Sequence, residues 1–365
     1  GLMLALRDYY AEDETINKGG LARYDNDFRD AWTYEVGILW DLHEECGLFS
    51  DQERLELTNL VLKLALECVV YQGYNRPDVF ERWKNNQDIV HNHNTFPGLG
   101  IYFVGNYFKR HYNHPAADDW LTVAHGIFRG LRHSSKPLED AASYQWLPPE
   151  HLMTYSLAEG DTTFFDEGHA REMATVAMMV MDNAGYQSAF GDNSGLTGSS
   201  CIANTIQKVA WYHKDPTLLW GAQHATGNAN HVLGQGYSFI ADPVPPDSIT
   251  GITISKLPKL CYDYIERSPA RAVKPNLPWE QSFDKLTFRS GLDLTDDYML
   301  LDGFGRGGHM HFDTNAIIRF SKGGRPLLVD GEYIKNLPKY HNSMVIMREG
   351  QGAFAPALAG LGRAD

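Results

Sequence analysis

Polar residues that can bind protons or metals stand at every second position of the stretch "GRGGHMHFDTNAIIRF", residues 305–320. These residues are His309, His311, Asp313 and Asn315, and apolar or small residues stand between them. Because successive side chains of a strand point to opposite faces, the alternation predicts a strand. We expect the polar residues to lie on one face of this strand and the apolar residues on the other.

A metal site is one chemistry that this region could support. His311, Asp330 and His341 form a His-Asp-His set, and imidazole and carboxylate groups are ligands that zinc accepts. Their spacing is not that of a zinc finger, so histidines satisfied on the surface of a sheet are the alternative. A hairpin turning at "KGG" (322–324) would place Asp330 nearer Ile317 than His311, so the chain before the strand must curl back if both are to reach one ion.

The glycines just before the histidines invite a second interpretation. "GFGRGG" (303–308) matches the glycine spacing of a dinucleotide-binding loop, but that loop must open a helix, and an alternating pattern follows here. We therefore reject nucleotide binding and assign the glycines to a tight bend or to close approach of a substrate. Arg306, in this loop, is a candidate for binding an acidic group, with a surface ion pair as the alternative.

Two further candidate groups precede predicted helix N-termini. The stretch "VHNHNTFPGLG" predicts a helix that begins near Pro97 and is capped by Asn94 or Thr95, with Asn92 and His93 just ahead of it. The free N–H groups and the dipole of such an end favour an anion, for example a carboxylate. A simple polar helix cap is the alternative.

The second group lies in "SYQWLPP", where Pro148 or Pro149 marks the start of a helix. Tyr144 lies in the loop ahead of it and is a candidate acid or base, with a packed aromatic residue as the alternative. Gln145 and Trp146 are candidates for substrate contact, and a tryptophan ring could stack on a sugar.

The pattern of apolar residues changes near residue 240. Before it, apolar residues recur at helical spacing, and short breaks separate the segments, which favours antiparallel helices in a bundle, a solenoid or a closed toroid. After it come short alternating runs punctuated by glycine, as in antiparallel sheet. We therefore expect a helical domain over 1–240 and the start of a β-sandwich over 241–365. The predicted helices cover 57–72, 99–112, 117–131, 169–186 and 199–213.

The bulk composition excludes several function classes. The 365 residues are 43% hydrophobic and carry a formal net charge of −14, so a general nucleic-acid-binding surface is excluded. No apolar run approaches a membrane span, and no signal peptide is visible. We expect both ends to have been trimmed from a longer protein. The four cysteines are scattered, which predicts buried free thiols, or one disulfide if the protein is exported.

Together these stretches resemble the heparinase II/III-like polysaccharide lyases, including the related alginate and oligoalginate lyases. The segments "GGHMHFD", "GGRPLLVDGEY" and "YHNSMVI" follow the order of that family's β-domain. "NHNTF" resembles its Asn-His-Gly-Thr segment, with Asn94 where glycine is common, and "SYQW" resembles its Ser-Tyr-His segment, with Gln145 in place of histidine. These departures leave the subfamily and the substrate open.

The resemblance implies an α+β chain, an incomplete (α/α) toroid followed by an antiparallel β-sandwich that is cut short. It also implies a zinc ion, held by His311, Asp330 and His341, that organises the cleft. The implied reaction is β-elimination at a uronic acid of an acidic polysaccharide or oligosaccharide, leaving a C4–C5 double bond. A periplasmic or secreted location follows from the substrate class alone.

The resemblance also implies roles for individual residues. Asn92 and His309 are candidates for neutralising the substrate carboxylate, which stabilises the enolate-like intermediate as an oxyanion hole does. Tyr144 is the candidate acid toward the leaving oxygen and a candidate base, and His93 is the alternative base.

Two other functions remain open on the sequence. A hydrolase on a similar toroid would need two catalytic carboxylates, and a non-catalytic glycan-binding protein would hold a sugar without cutting it. The polymer, endo or exo action, and the oligomeric state also stay open. Aspartates available to a hydrolase near presumed loops are Asp140, Asp161, Asp166 and Asp192.

Overall fold

A computed structural model gives the fold of the chain. It describes residues 3–5, 7–8, 23–193, 200–225, 242–267, 275, 277–309, 311–331, 335, 337–343 and 361–363. The chain forms two compact units, residues 1–130 and residues 131–365. The change from long helices to strands falls between a helix that ends at His224 and a strand that begins at Gly251. The predicted domain boundary at residue 240 stays a prediction.

Helices account for most of the first unit's described residues. Among the described residues of the whole chain, no helix is both long and apolar enough to cross a membrane. The helices predicted over 57–72, 99–112 and 117–131 correspond to three of those observed. The helices are α1 (Arg23–His43), α2 (Asp51–Tyr71), α3 (Pro77–Lys84), α4 (Asn92–Tyr112) and α5 (Ala117–Leu131).

Buried polar side chains join three of these helices. The indole of Trp40 in α1 is fully buried, and its Nε1 donates to Thr58 of α2 and to Tyr107 of α4, each at 3.1 Å. At the start of α2, Ser50 and Glu53 form a reciprocal capping box, which satisfies two backbone N–H groups that the first turn leaves open. These contacts fix both the packing and the ends of the helices.

The start of α4 differs from the prediction. The helix begins at Asn92, with His91 as its cap, rather than near Pro97. The expected caps therefore lie inside the helix, and Pro97 is tolerated within the second turn. The prediction failed because proline was taken as the first helical residue. The side chain of His91 instead accepts from the N–H of His93 and caps a helix that begins at Asn92, five residues before Pro97.

The second unit begins with helices and ends with a sheet. The predicted helix over 199–213 corresponds to α9, whereas the one over 169–186 ends early, at Val180. Beyond it the chain makes a tight turn with Gly185 at φ +79°, and a backbone bridge joins Met181 to Gln187. The helices are α6 (Leu147–Glu159), α7 (Thr163–Asp166), α8 (His169–Val180), α9 (Ser200–His213), α10 (Pro216–His224) and α11 (Lys259–Arg267).

A buried arginine of the sheet caps the end of α8. Arg289 is 2% exposed, and its Nη2 donates to the carbonyls of Met178, Met179 and Met181. Its Nη1 donates to Asn183 at 2.5 Å. A cation at a helix C-terminus satisfies carbonyls that have no partner within the helix. This contact fastens α8 to the inner face of the sheet.

The described strands form one antiparallel sheet in the order β1-β2-β3-β4-β5, with β6 paired to β2. β4 and β5 are joined at Gly323 and Gly324, both at positive φ, which confirms the predicted hairpin turn. The outer face carries exposed apolar side chains such as Ile252 and Leu328, the composition of a sandwich interior. The strands are β1 (Gly251–Lys256), β2 (Ser282–Arg289), β3 (Tyr298–Asp302), β4 (Ile317–Lys322), β5 (Arg325–Val329) and β6 (Gly362–Arg363).

Three of the cysteines are free thiols: Cys46, Cys68 and Cys261. The prediction of burial is confirmed for Cys68 and Cys261 and is wrong for Cys46, which is exposed. The side chain of Cys201 lies outside the described residues.

Because His151 of α6 is buried, the free energy of unfolding is expected to fall in acid. Burial, helped by Lys208, lowers the pKa of His151 to about 3. Between that value and the unfolded value near 6.5, only the unfolded chain binds the proton, so the free energy of unfolding falls as the pH falls. From pH 6.5 to pH 5 this amounts to roughly 2 kcal/mol, at about 1.4 kcal/mol per pH unit.

Urea unfolding of the wild type and His151→Gln at pH 7 and pH 5 measures this term. We expect the wild type to lose roughly 2 kcal/mol more than the variant over that interval. His43→Gln, at an exposed histidine of α1, is the matched control for replacing an imidazole outside the core. Equal losses in wild type and His151→Gln would mean that the buried ring is not held neutral.

Candidate active site

Three separate stretches of the second unit are joined by backbone hydrogen bonds. Gly308 exchanges bonds with the stretch 138–140, because its N–H donates to Leu138 and its carbonyl accepts from Asp140. The N–H of Ala142 donates to Phe190 at 2.8 Å, and the N–H of Asp192 donates to His309 at 2.8 Å. A Cβ at Gly308 would lie 2.6 Å from the Glu139 carboxylate and 3.1 Å from the Leu138 carbonyl, so glycine suits this close approach. The glycine loop therefore packs closely against residues 138–140, and the predicted close approach of a substrate stays a prediction.

This joining brings Tyr144 and His309 face to face. Their rings are stacked, with centroids 3.7 Å apart and planes 2° apart. Tyr144 lies in a 3₁₀ turn (Tyr144–Trp146) immediately before α6, and it is partly exposed. The side chain of His309 is 23% exposed. Solvent can therefore reach both members of the pair.

The backbone of His309 adopts a left-handed conformation, with φ +54°. This region is unfavourable for a residue with a Cβ and costs of order 1 kcal/mol or more. The hydrogen bond from Asp192 and the stack on Tyr144 hold the residue there. Such strain is found at functional sites more than elsewhere, which singles out His309 independently of its type.

A carboxylate that the sequence did not single out for this role bridges two histidines. Asp192 Oδ2 lies 3.2 Å from His309 Nδ1, and Asp192 Oδ1 lies 2.8 Å from His311 Nε2. Asp192 fixes the orientation of both rings through one ring nitrogen of each. The sequence offered Asp192 only as a hydrolase acid, since nothing in its spacing from the histidines shows the contact.

Behind this pair lies a buried group of His311, Asp313 and His341. Their side chains are 0%, 1% and 1% exposed respectively, and one ligand atom from each lies within 4.8 Å of the others. His341 reaches the group because its neighbour Asn342 exchanges hydrogen bonds with the first residue of β4, Ile317. The chain also turns just before β4, because the N–H of Ala316 donates to Asp313.

The unsatisfied atoms of this group fit a metal ion. His311 binds Asp192 through Nε2, and His341 Nδ1 lies 2.9 Å from Asp330 Oδ1. The opposite ring nitrogens, His311 Nδ1 and His341 Nε2, find no hydrogen-bond partner among the described residues, and neither does Asp313 Oδ1. A carboxylate on one ring nitrogen and a metal on the other is the usual arrangement around zinc. Unpaired buried polar atoms are otherwise costly.

The electrostatics of the group reflect its burial. Burial, together with the Asp302 carboxylate, raises the pKa of Asp313 to about 7. Burial also lowers the pKa of His311, against the hydrogen bond to Asp192, which acts in the opposite direction. For His341 burial again opposes the charged ring, but Asp330 outweighs it, and the pKa of His341 is raised.

Comparison with solved structures identifies the fold. A crystal structure of heparinase III matches with a TM-score of 0.51 over 87% of this chain and 47% of that one, at 10% identity. A heparinase III with methylated lysines matches with a TM-score of 0.50 over 88% of this chain and 44% of that one, at 12% identity. The chain has a heparinase III-like fold. No protein-family model matches the chain, and no curated protein does.

The heparinase III-like fold confirms the predicted fold class, a helical toroid followed by an antiparallel β-sandwich. The helix-rich first part and the antiparallel sheet of the second unit are its components. The chain spans less than half of the length of the heparinase III structures that it matches.

One local prediction within this heparinase III-like fold is wrong. Residues 305–316 alternate in sequence, but the described residues 305–309 and 311–316 do not form a strand, and β4 begins only at Ile317. His309 and Asn315 have positive φ, and the N–H of Ala316 bonds back to Asp313. His311 and Asp313 therefore come together by folding of the chain rather than by alternation. Met310 lies outside the described residues.

The candidates for substrate contact near Tyr144 are mostly buried. Trp146 is 2% exposed, so its ring presents no face to a sugar in this structure. Gln145 is 3% exposed, and its Oε1 accepts from Lys136 at 2.8 Å. Arg306 is 8% exposed. Tyr155, inside α6, is 5% exposed and belongs to the core, as predicted.

The remaining two candidates lie in the first unit, at the start of α4. Asn92 is 5% exposed, and its Oδ1 accepts from the N–H of His93 at 2.9 Å. The side chain of His93 is exposed. Both residues belong to the first helical turn rather than to the loop ahead of it, so the predicted association with a helix N-terminus holds.

A buried charged cluster supports the Tyr144 turn from beneath. Lys285 is fully buried, and its Nζ lies 2.9 Å from Asp140 and 2.7 Å from Asp302. Lys136 Nζ lies 3.1 Å from the same Asp140 oxygen and also holds Gln145. Burial opposes the charge of Lys285, but the surrounding carboxylates outweigh it and raise its pKa well above the ordinary value. Since removing one partner of such a cluster leaves an unpaired buried charge, the cluster holds the turn firmly.

Proposed function

We propose that the chain is part of a polysaccharide lyase that cleaves uronic-acid-containing polysaccharide by β-elimination. The observation that carries the proposal is the stack of Tyr144 on His309, with Asp192 orienting the histidine. Phenol and imidazole are both groups that transfer protons in enzymes, and both are reached by solvent here. The heparinase III-like fold and the family resemblance of the sequence support the same conclusion.

The reaction needs a base at C5 and an acid at the leaving oxygen. In this proposal Tyr144 donates the proton to the leaving oxygen and can also remove the C5 proton, and His93 is the alternative base. His309, when protonated, lies against the phenol ring and would stabilise the phenolate that forms when Tyr144 gives up its proton. Asp192, 3.2 Å from Nδ1 of His309, holds the imidazole in this position.

The substrate carboxylate must be neutralised before C5 can lose its proton. His309 and Asn92 are the proposed hydrogen-bond donors, and they would act on the enolate-like intermediate as an oxyanion hole does. Arg306, Gln145 and Trp146 stay predicted contacts to the remainder of the substrate. Their burial means that such contact requires movement of the surrounding chain.

The buried group behind the pair is proposed to hold a zinc ion through His311, His341 and a carboxylate. Asp313 offers an unpaired oxygen next to the two histidines, and Asp330 holds His341 by its other nitrogen. Asp330, which the sequence predicted as a ligand, also has an unpaired oxygen, Oδ2. A bound zinc ion would add positive charge and fix the loop that carries His309 and His311.

The hydrolase alternative finds little support in the side chains. Asp192 is bound between two histidines, and Asp140 is 1% exposed and paired with lysines. Asp161 pairs with Arg132, and Asp166 accepts from Tyr212 at 2.7 Å. Each of the four carboxylates thus already has a partner, whereas a hydrolase needs two that face the scissile bond.

The proposed substrate class has consequences for the setting of the protein. The partner is an acidic polysaccharide or oligosaccharide, and the location is periplasmic or secreted, as for enzymes that meet such polymers outside the cytoplasm. Because the chain carries a net charge of −14, a polyanion must be met by a locally positive groove.

The test is the ultraviolet absorbance of the whole chain incubated with a panel of uronate polymers: heparin-like chains, other glycosaminoglycans, alginate and rhamnose–glucuronate polymers. We expect a rise with at least one polymer, because the new double bond is conjugated with the carboxylate. New reducing ends without a rise would identify a hydrolase. Binding of intact oligosaccharide after long incubation would identify a glycan-binding protein.

A further inference from the structure

A second set of metal-binding side chains lies on the surface of the second unit, outside the buried histidine group of His311, Asp313 and His341. Each of its members stands at an end of a helix, one just after α5, one directly after α7 and one at the first position of α8. Their backbones are therefore held by regular structure. The members of this exposed histidine group are His133, Glu167 and His169.

The three side chains of the exposed histidine group already converge. Nδ1 of His133 lies 2.9 Å from Oε2 of Glu167, and Nε2 of His169 lies 3.5 Å from the same oxygen. One ligand atom from each residue lies within 4.8 Å of the other two. Gly168, at φ +88°, makes the turn that separates Glu167 from His169. A metal ion would therefore find its three ligand atoms close together without refolding of the chain.

The charge of the group suits a cation, with one contact that must open. The hydrogen bond from His133 holds the pKa of Glu167 below its ordinary value, so the carboxylate is ionised at neutral pH. The guanidinium of Arg132 donates from Nε to Nε2 of His133 at 3.2 Å, which leaves the proton of that ring on Nδ1. A metal ion at Nδ1 displaces that proton, and Arg132, which is partly exposed, must then release Nε2.

We propose that the exposed histidine group binds a divalent transition-metal ion, and binds copper(II) more tightly than zinc. Two imidazoles and one carboxylate form a nitrogen and oxygen ligand set, for which affinity rises along the first-row metals to copper and falls again at zinc. Calcium and magnesium prefer oxygen ligands alone and are poorly served here. Because the side chains are exposed, water can fill the remaining positions around the ion. The proposal does not depend on the lyase function, since none of its residues belongs to the candidate active site.

The experiment is calorimetric titration of the full chain with Cu²⁺, after one equivalent of zinc has been added so that the buried histidine group is treated alike in every protein. We expect the wild type to bind one Cu²⁺ ion more than His133→Ala/His169→Ala. Glu167→Gln and His169→Ala should each weaken this extra ion by at least about tenfold, or about 1.4 kcal/mol. Zinc should bind the same site at least about tenfold more weakly than copper. His43→Ala, at an exposed histidine of α1, should change nothing.

Electron paramagnetic resonance of the extra Cu²⁺ ion identifies its ligands, because two imidazole nitrogens split its spectrum and this splitting should be lost in the double variant. Equal numbers of Cu²⁺ ions in the wild type and the double variant would overturn the proposal. An unchanged affinity in Glu167→Gln would reduce the site to two surface histidines without the carboxylate. Displacement of the ion by equimolar Ca²⁺ would contradict the proposed metal class. Circular dichroism of each variant separates lost binding from lost folding.

Discussion

Replacing Tyr144 by phenylalanine is expected to lower kcat on the polymer that the wild type cleaves by roughly 10²- to 10⁴-fold. The change removes only the hydroxyl that transfers the proton. The ring stays in place, because its stack on His309 and the 3₁₀ turn do not involve the hydroxyl. KM should change little, since the substrate carboxylate is met by other groups.

The matched control is Tyr155→Phe, which removes a hydroxyl from the core of α6 and should leave kcat nearly unchanged. Initial rates of ultraviolet absorbance give kcat and KM for both variants. A rate that survives in Tyr144→Phe and falls in Tyr155→Phe or His93→Gln would move the acid to that residue. A rate that survives in all three would remove the tyrosine–histidine mechanism.

Asp192 is expected to influence the same reaction by orienting His309. Its carboxylate touches both His309 and His311, so it acts on the reaction through these rings rather than on the substrate. The contact was not predictable from the sequence. The two histidines and Asp192 are more than a hundred residues apart, and hydrogen bonds such as the backbone bond between Asp192 and His309 bring the stretches together.

Local patterns predicted the elements of the fold well. Helical spacing identified α2, α4, α5 and α9, because an apolar stripe with period 3.6 is a strong signal over long segments. Errors occurred where one residue decides a boundary. α4 begins at Asn92, capped by His91, rather than near Pro97, and α8 ends at Val180, ahead of the turn at Gly185.

The alternating stretch shows why the site was harder to predict than the fold. Strand alternation was the reason for expecting its polar residues on one face, and that reason does not apply. Left-handed backbone at His309 and Asn315, rather than strand geometry, brings His311 and Asp313 together. Positive φ at residues other than glycine carries almost no sequence signal.

The second large effect concerns the buried histidine group and its metal. We expect the wild type to bind one zinc ion tightly. His311→Ala and His341→Ala should each lower the zinc affinity by more than about 100-fold, which exceeds the effect of losing a residue outside the ligand set. Because zinc binds the folded chain, saturation at about 100 times the Kd should stabilise the wild type by roughly 2.7 kcal/mol. Competition with a metal-sensitive dye and thermal unfolding with and without zinc measure the two quantities.

The choice of carboxylate is decided by comparing Asp313→Asn with Asp330→Asn. Asp313 lies with the two histidines and has an unpaired oxygen, so its loss should weaken zinc as strongly as loss of a histidine. Asp330 holds His341 by Nδ1, so its loss should cost about 10- to 100-fold. The reverse order would make Asp330 the ligand, as the family resemblance implies.

The chain itself offers a control for adventitious zinc binding. His133, Glu167 and His169 form a second His-Glu-His group, but it is largely exposed, and its histidines can bind zinc weakly from solution. The double variant His133→Ala/His169→Ala should keep the tight site and its stabilisation. If that variant instead removes the tight zinc while His311→Ala retains it, the unpaired nitrogens of His311 and His341 serve another purpose, such as holding buried water. Tyr144 and His309 would then have to act without a metal-fixed loop behind them.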